Sequence, residues 1–213
     1  MKKNNLILTA VVITAMTLTS SGGSSTNTEV KIGNQVWTTT NLDVSKFRNG
    51  DDIPQAKTDE EWEKALEEGK PAWCYYDNDP KNGNKYGRLY NWSAVTDPRG
   101  LAPSGWHIPS DAEWTILTDN LGGKDEAGHK MKSQAGWDDE GNGSNASGFS
   151  GLPGGNRDYY GTFNDVGYTG YWWSSTEDDA SNAWYRILDY DVGYVTRSNS
   201  DKTDGLSVRC LRD

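Results

Sequence analysis

Hydrophobic and polar positions alternate most strictly toward the C-terminal end of the chain. In AWYRILDYDVGYVTR, Ala183 to Arg197, an extended strand puts Trp184, Arg186 and Leu188 on one side and Tyr185, Ile187 and Asp189 on the other. The pattern predicts a two-stranded ribbon that turns at Val192-Gly193 and carries Tyr194, Thr196 and Ser198 beside the second set. Near the other end, EVKIGNQVWTTTNL (Glu29 to Leu42) reads as a hairpin around Gly33-Asn34, a pair that tolerates positive φ. Shorter strand-like islands fall at 72–76, 88–92, 172–174 and 206–211.

The period changes to that of a helix in two places. Thr58 opens TDEEWEKALEEG, where Thr58 and Glu61 form a capping box, Trp62, Ala65 and Leu66 make an apolar stripe, and Gly69 supplies the stop. Ser110 opens a second, with Glu113 as its box partner, Trp114, Leu117 and Leu121 as the buried face, and Gly122-Gly123 as terminator. The remainder is rich in Gly, Asn, Asp and Ser, without internal repeats. Two helices followed by a strand-rich, loop-rich second half predict an α+β fold.

The first residues follow a different logic. Lys2 and Lys3 precede an apolar run, Leu6 to Leu18, too short to span a bilayer comfortably, so residues 1–21 read as a signal peptide. Leu18 to Gly23 has the form of a lipobox with Ser21 where the lipidated cysteine would stand. Without that thiol no thioether lipid forms. The expected product is secreted or periplasmic, or it reaches a membrane only through a lipid anchor in a form whose natural residue 21 is Cys. An ordinary signal peptide cleaved among small residues is the alternative. Residues 22–28 read as a flexible tether, and 29–213 as one domain.

Composition narrows the chemistry. Ten Trp and eleven Tyr against three Phe, with 24 Gly, suit an irregular core rather than a Leu-rich bundle. A formal charge of -10 and no basic stripe exclude nucleic acid as a partner. Cys74 and Cys210 are an even pair in an exported chain, which favours a disulfide with a stabilisation on the order of 4–5 kcal/mol in the chain-entropy account. A redox or copper-binding thiol pair is the alternative, but neither cysteine has CxxC spacing or a neighbouring His. Only His107 and His129 are present, with no HExxH, GxSxG or Walker spacing, and His107, between Trp106 and Ile108, reads as structural. Asp77 to Gly87 starts like an EF-hand, yet Lys81 holds the fifth position, Asn82 replaces the glycine and no glutamate closes the loop. Asp138-Asp139-Glu140 and Asp178-Asp179 read as solvated acidic loops.

Seven blocks in order carry a family resemblance: VKIGNQVW, YDNDPKNGNKYGRLYNWSAV, PSGWHIPSDAEW, GFSGLPGGNRD, YWWSSTE, AWYRIL and GLSVRCLRD. Together they resemble the Fibrobacter succinogenes major paralogous domain, found in exported and lipoprotein-like proteins. The GW-x-x-P-x-x-x-EW helix start and the SVRC strand are similar, more distantly, to the formylglycine-generating branch of the C-type lectin fold. The resemblance implies a C-type-lectin-like domain. Its N- and C-terminal strands would be paired, two helices would pack on that small antiparallel sheet, and a loop-rich second half would present the ligand surface. A Cys74–Cys210 pairing would fit such a closed loop. The sequence departs from the family in WTTTNL, where Met-Ala-Glu more often precedes Asn-Leu, a change expected to touch strand chemistry and no site.

The C-terminal segment also resembles the variable proteins of diversity-generating retroelements, whose fixed Trp and strand residues alternate with substitutable positions. That likeness implies a display set of Tyr185, Ile187, Asp189, Asp191, Tyr194, Thr196 and Ser198, with Tyr190 near the turn able to join it. Trp184, Leu188, Val195 and Val208 would be scaffold, and Trp172 and Trp173 either core or sugar-stacking rings bordering the display face. Tyr gives large contact area at low entropic cost, and Ser, Thr and Asp give adaptable hydrogen bonds. The sequence therefore points to a non-enzymatic domain binding an extracellular or periplasmic protein or glycan, without a cofactor. One metal reading stays open, a lectin-type calcium site drawn from Glu177, Asp178 and Asp179 with Asp189 and Asp191, because hard cations take several oxygen ligands. A formylglycine-generating-like oxidoreductase, which needs an accessible thiol, and a structural component of the cell envelope are the alternatives.

Overall fold

The computed structural model describes residues 28–213, so the expected signal peptide and all of the expected tether but Thr28 lie outside the described residues. The first hairpin forms as the alternation predicts: β1 (Glu29–Ile32) and β2 (Gln35–Thr38) pair antiparallel across Gly33, whose φ of +59° is the left-handed value the turn needs. Helix α1 (Asp59–Glu67) follows, then β3 (Trp73–Cys74), a 3-10 turn at Tyr76–Asn78, α2 (Pro80–Tyr86), β4 (Leu89–Tyr90), α3 (Trp92–Val95), β5 (Trp106–His107), α4 (Asp111–Asn120) and α5 (Lys124–Met131). The second half contains β6 (Gly154–Arg157), β7 (Phe163–Val166), β8 (Thr169–Glu177), β9 (Asn182–Asp189), β10 (Thr196–Asp201) and β11 (Leu211–Arg212). The fold is α+β. Its first sheet runs β1-β2-β11-β5, so a strand from the far end of the sequence sits between two early ones, while β3 and β4 form a separate pair.

The two expected helices are present, with a difference at one cap. In α4, Ser110 Oγ accepts from Glu113 N at 3.3 Å while Glu113 Oε2 accepts from Ser110 N at 2.8 Å, a complete capping box. In α1, Thr58 accepts from Glu61 N, but the Glu61 carboxylate takes the Lys57 N–H at 2.7 Å instead of the Thr58 N–H, so the box is shifted by one residue. Three further helices, α2, α3 and α5, add to the two expected. They are short, four to eight residues, and α2 and α3 rest on the side chains of Asp79 and Asn91 as N-caps rather than on an apolar stripe.

The second sheet, ordered β10-β9-β8-β6-β7, divides the interior. Its central strand β8 places Trp172 and Trp173 on opposite faces, and both rings are fully buried. Trp172 joins a cluster with Trp37, Trp114, Phe149, Met131, Leu188 and Val195, in which Trp37 and Trp114 lie 4.8 Å apart and Phe149 and Trp172 5.9 Å. Trp173 joins the other side, with Tyr90, Ala183, Leu206, Val208 and Cys210. A third, smaller cluster under α1 holds Trp62, Cys74 and Leu89. Each buried indole contributes a gross ~4–6 kcal/mol by area before conformational entropy is subtracted. A buried Trp usually finds a partner for its N–H, although Trp62 Nε1 has none among the described residues. Trp172 Nε1 donates to Asn41 Oδ1 at 2.8 Å, and Trp173 Nε1 to Tyr90 O at 2.9 Å. Both tryptophans are therefore core, and neither is a sugar-stacking platform.

Candidate functional site

The ribbon pairs in the register the alternation implies: Thr196 stands opposite Ile187, and Ser198 opposite Tyr185. On the neighbouring strand Tyr171 is opposite Ile187, and Trp173 opposite Tyr185. Since side chains at paired positions share a face, Tyr171, Tyr185, Ile187, Thr196 and Ser198 form one half-buried patch across three strands. Its lower end is sealed. Tyr185 packs on the cluster around Trp173, ring centroids 6.1 Å apart, and Ala183 below it is fully buried. Tyr171 Oη donates to Asp165 at 2.7 Å. Burial, followed by that acidic neighbour, raises its phenol above the ordinary range.

The tight turn expected at Val192-Gly193 does not form. The β9–β10 ladder ends at the Ile187–Thr196 pair, β9 runs on to Asp189 beside β8 alone, and the residues from Tyr190 to Val195 lie along α5. Lys132 reaches up from the end of α5 and donates to the carbonyls of Asp189, Tyr190 and Val192 at 2.8, 3.0 and 2.9 Å. His129 N donates to Gly193 O, and Val195 N to Lys124 O. A side chain at Gly128 would meet Gly193 O and Tyr194 O at 2.5 Å, which is why a glycine stands where this loop crosses the helix. Tyr190 turns inward against Tyr168, 5.2 Å away, beside the core cluster of Trp172. Asp189 accepts from Thr169 Oγ1 at 2.9 Å. Asp191 and Tyr194 are exposed on the loop, Tyr194 at 45 %. The expected set thus divides: Tyr185, Ile187, Thr196 and Ser198 share the patch, Asp189 closes its end, and Tyr190, Asp191 and Tyr194 belong to the clamped loop.

The opposite side of β9 is less uniform than a scaffold face. Leu188 and Val195 are buried as expected, and so is Val208. Trp184, expected as scaffold, is only half-buried because its ring stacks under the Arg197 guanidinium at 3.3 Å instead of entering the core. Arg186 is 2 % exposed and binds Asp111, the first residue of α4, at 2.7 Å, while Arg197 reaches the same carboxylate at 2.9 and 3.1 Å. Burial alone would raise the Asp111 carboxyl, but the hydrogen bonds from Arg197 and Arg186 outweigh it and hold the group below the usual carboxylate range.

The cysteine expectation is corrected. Cys74 and Cys210 are both free and buried, and they lie in different hydrophobic clusters, one under α1 and one beside Trp173. Burial pushes each thiol up to about 12. Neither offers the accessible thiol that the oxidoreductase alternative requires. The calcium candidates Glu177, Asp178 and Asp179 are each engaged by other groups. Glu177 accepts from Lys202 at 2.6 Å, Asp178 from Asn199 at 2.5 Å, and Asp179 caps the Ser181 and Asn182 N–H groups in a local turn. Among the described residues no group of three or more His, Cys, Asp and Glu side chains is placed to hold a metal ion.

His107 is engaged at both ring nitrogens, Nδ1 to Asp213 at 2.8 Å and Nε2 to Glu113 at 3.0 Å, so it ties β5 to α4 and to the residue after β11. Burial lowers its pKa, but the two carboxylates outweigh burial and the net shift is upward. Thr39, Thr40 and Asn41 of WTTTNL line a cleft of about 500 Å3 remote in sequence from the ribbon. No local pattern reveals that cleft, because its walls come from four separate segments. Among the described residues no helix is long and apolar enough to cross a membrane. The sequence model of the Fibrobacter succinogenes major domain matches residues 30–212. No curated protein matches the chain.

Proposed function

The chain belongs to the Fibrobacter succinogenes major domain family, and from that premise we propose that it is an exported, non-enzymatic binding domain of C-type-lectin-like architecture. Its ligand is a protein or glycan met at the cell surface, in the envelope or outside the cell, and the ribbon of β9 and β10 is the recognition face. The observation that carries the reading is the register. It sets an aromatic, an aliphatic and two hydroxylic side chains (Tyr185, Ile187, Thr196 and Ser198) together on a half-exposed surface whose backbone is fixed from behind by buried Trp172, Leu188 and Arg186. Such a mixed patch on a rigid support suits recognition, where contacts differ while the fold beneath them stays constant. The pairing of β2 with β11 beside α4 supports the lectin-like architecture. The likeness to retroelement variable proteins rests on the same residues and would make positions 185, 187, 196 and 198 the substitutable ones.

The test is a full-chain variant carrying Ile187→Ser, Tyr194→Ala, Thr196→Ala and Ser198→Ala, screened with the unaltered protein against a glycan array and a panel of purified cell-surface proteins. Ligands captured by the unaltered chain are expected to be lost, with the melting temperature moving by only a few degrees, as for half-exposed positions. Equal capture by both proteins overturns the assignment of the ribbon.

A further inference from the structure

The cleft behind WTTTNL has an electrostatic character opposite to that of the whole molecule. Directly behind its wall lies Arg209, fully buried and bonded to two wall residues, Asn41 and Ser150. Nε donates to Asn41 Oδ1 at 2.7 Å, Nη1 to the carbonyls of Thr38 and Phe149 at 2.7 and 2.8 Å, and Nη2 to Ser150 O at 2.9 Å. All four acceptors are neutral, and among the described residues no carboxylate pairs with this guanidinium. Burial pushes its pKa down to about 9, which still leaves it charged at neutral pH. A buried cation met only by dipoles and by the Phe149 ring, 4.5 Å away, retains an unbalanced field, and that field is strongest toward the nearest opening.

The opening is the 500 Å3 cleft itself, since Asn41 and Ser150 belong both to the Arg209 cradle and to the cleft wall. The one carboxylate in the wall, Asp43, is already matched by Arg88 at 3.0 Å. Lys85 stands at the rim with its ammonium 4.6 Å from the Tyr86 ring centroid and no carboxylate partner among the described residues. Lys85 in the wall, with Arg88 and Arg209 bonded to wall residues from behind, thus outnumber the one carboxylate, Asp43, in a chain whose formal charge is -10. The side chains of Thr40 and Asn84 line the same space without a hydrogen-bond partner among the described residues. The volume falls in the range of small-ligand sites.

We propose that this cleft binds an oxyanion-bearing, hydroxylated ligand of monosaccharide size, with its carboxylate or phosphate directed toward Lys85 and the field of Arg209 and its hydroxyls toward Thr40 and Asn84. The site is separate from the ribbon and stands or falls without it. The test is isothermal titration of the full chain with glucuronate, glucose 6-phosphate, glucose and inorganic phosphate, repeated on Lys85→Glu and Thr40→Glu, both of which put a carboxylate into the cleft from an accessible position and leave Arg209 intact. At least one anionic sugar is expected to bind about tenfold or more tighter than glucose, and each variant to lose about tenfold or more with its melting temperature retained. Preference for glucuronate identifies a carboxylate ligand, and preference for glucose 6-phosphate a phosphorylated one. Binding of glucose equal to that of both anionic sugars, variants that bind like the unaltered chain, or no binding of either anionic sugar overturns the site. Inorganic phosphate bound as tightly as glucose 6-phosphate overturns the sugar-sized ligand.

Discussion

Asn41 uses every hydrogen-bonding position of its amide. Oδ1 accepts from Trp172 Nε1 and Arg209 Nε, and Nδ2 donates to Tyr86 O at 2.8 Å and Ser207 Oγ at 3.1 Å. One side chain thereby joins the chain leaving β2, the end of α2, the central strand of the second sheet and the approach to β11. Asn41→Ala would orphan a buried indole N–H and one of the few contacts that solvate a buried guanidinium. The expected loss is about 2–4 kcal/mol, read as a shift of the urea midpoint with unchanged slope. A loss below about 0.5 kcal/mol would mean that water replaces the amide and that the Arg209 cradle is not fixed by it. The sequence marks Asn41 only as the residue after three threonines, because its four partners are up to 168 residues away.

At the scale of elements, the charged link between the ribbon and α4 is one carboxylate, with Arg186 also donating to the Asp111 carbonyl at 2.9 Å and to Thr115 Oγ1 at 3.2 Å. Asp111 sits in the first turn of α4, where the positive end of the helix dipole favours an anion, and it receives both Arg186 and Arg197. Asp111→Ala would leave Arg186, 3 % exposed at its side chain, without a counter-charge, and should cost about 2–4 kcal/mol near pH 7. Because the folded Asp111 pKa is depressed, its contribution is complete above the ordinary carboxylate value of about 3.9 and disappears as pH falls through the folded value. The stability gap between variant and parent should therefore narrow in acid and stay constant from pH 5 to pH 7. A gap that widens in acid would contradict the ion pair. The hairpin register and both principal helices were legible because alternation and capping are local signals. The clamped loop was not: YDVGYV has the composition of a turn, and only the position of Lys132, 57 residues before Asp189, makes it a strap over α5.

For the whole molecule, the decisive arrangement is a sheet with core on both sides. Alternation along β8 and β9 shows that two faces exist, but not that both are covered, which is why Trp172 and Trp173 are both interior and Trp184 is not. A different boundary, between the Trp173 cluster and the smaller one under α1, separates the cysteines. Pairing Cys74 with Cys210 would require one to leave its cluster, so both thiols are expected to resist a thiol reagent in the native protein and two to react per chain in denaturant. No reactive thiol in denaturant, without prior reduction, would demonstrate a disulfide and a different packing of α1. The cleft was illegible for a related reason, since charge counted along the chain gives an acidic protein while the fold gathers Arg88, Lys85 and Arg209 locally.

The position of β11 has a consequence in time. Cys210 N bonds to Thr38 Oγ1 across 172 residues of sequence, and Leu211 bridges Trp37 and His107. During synthesis β2 and β5 emerge early and wait, with the slot between them unfilled and Trp37 lacking part of its cover, until almost everything else in the domain has been made. Such long-range closure slows folding and leaves strand edges open to other chains in the interval. Assembly of the first sheet is thus a late event, and a chain stopped short of residue 205 retains the ribbon while lacking the strand that completes the core beneath it.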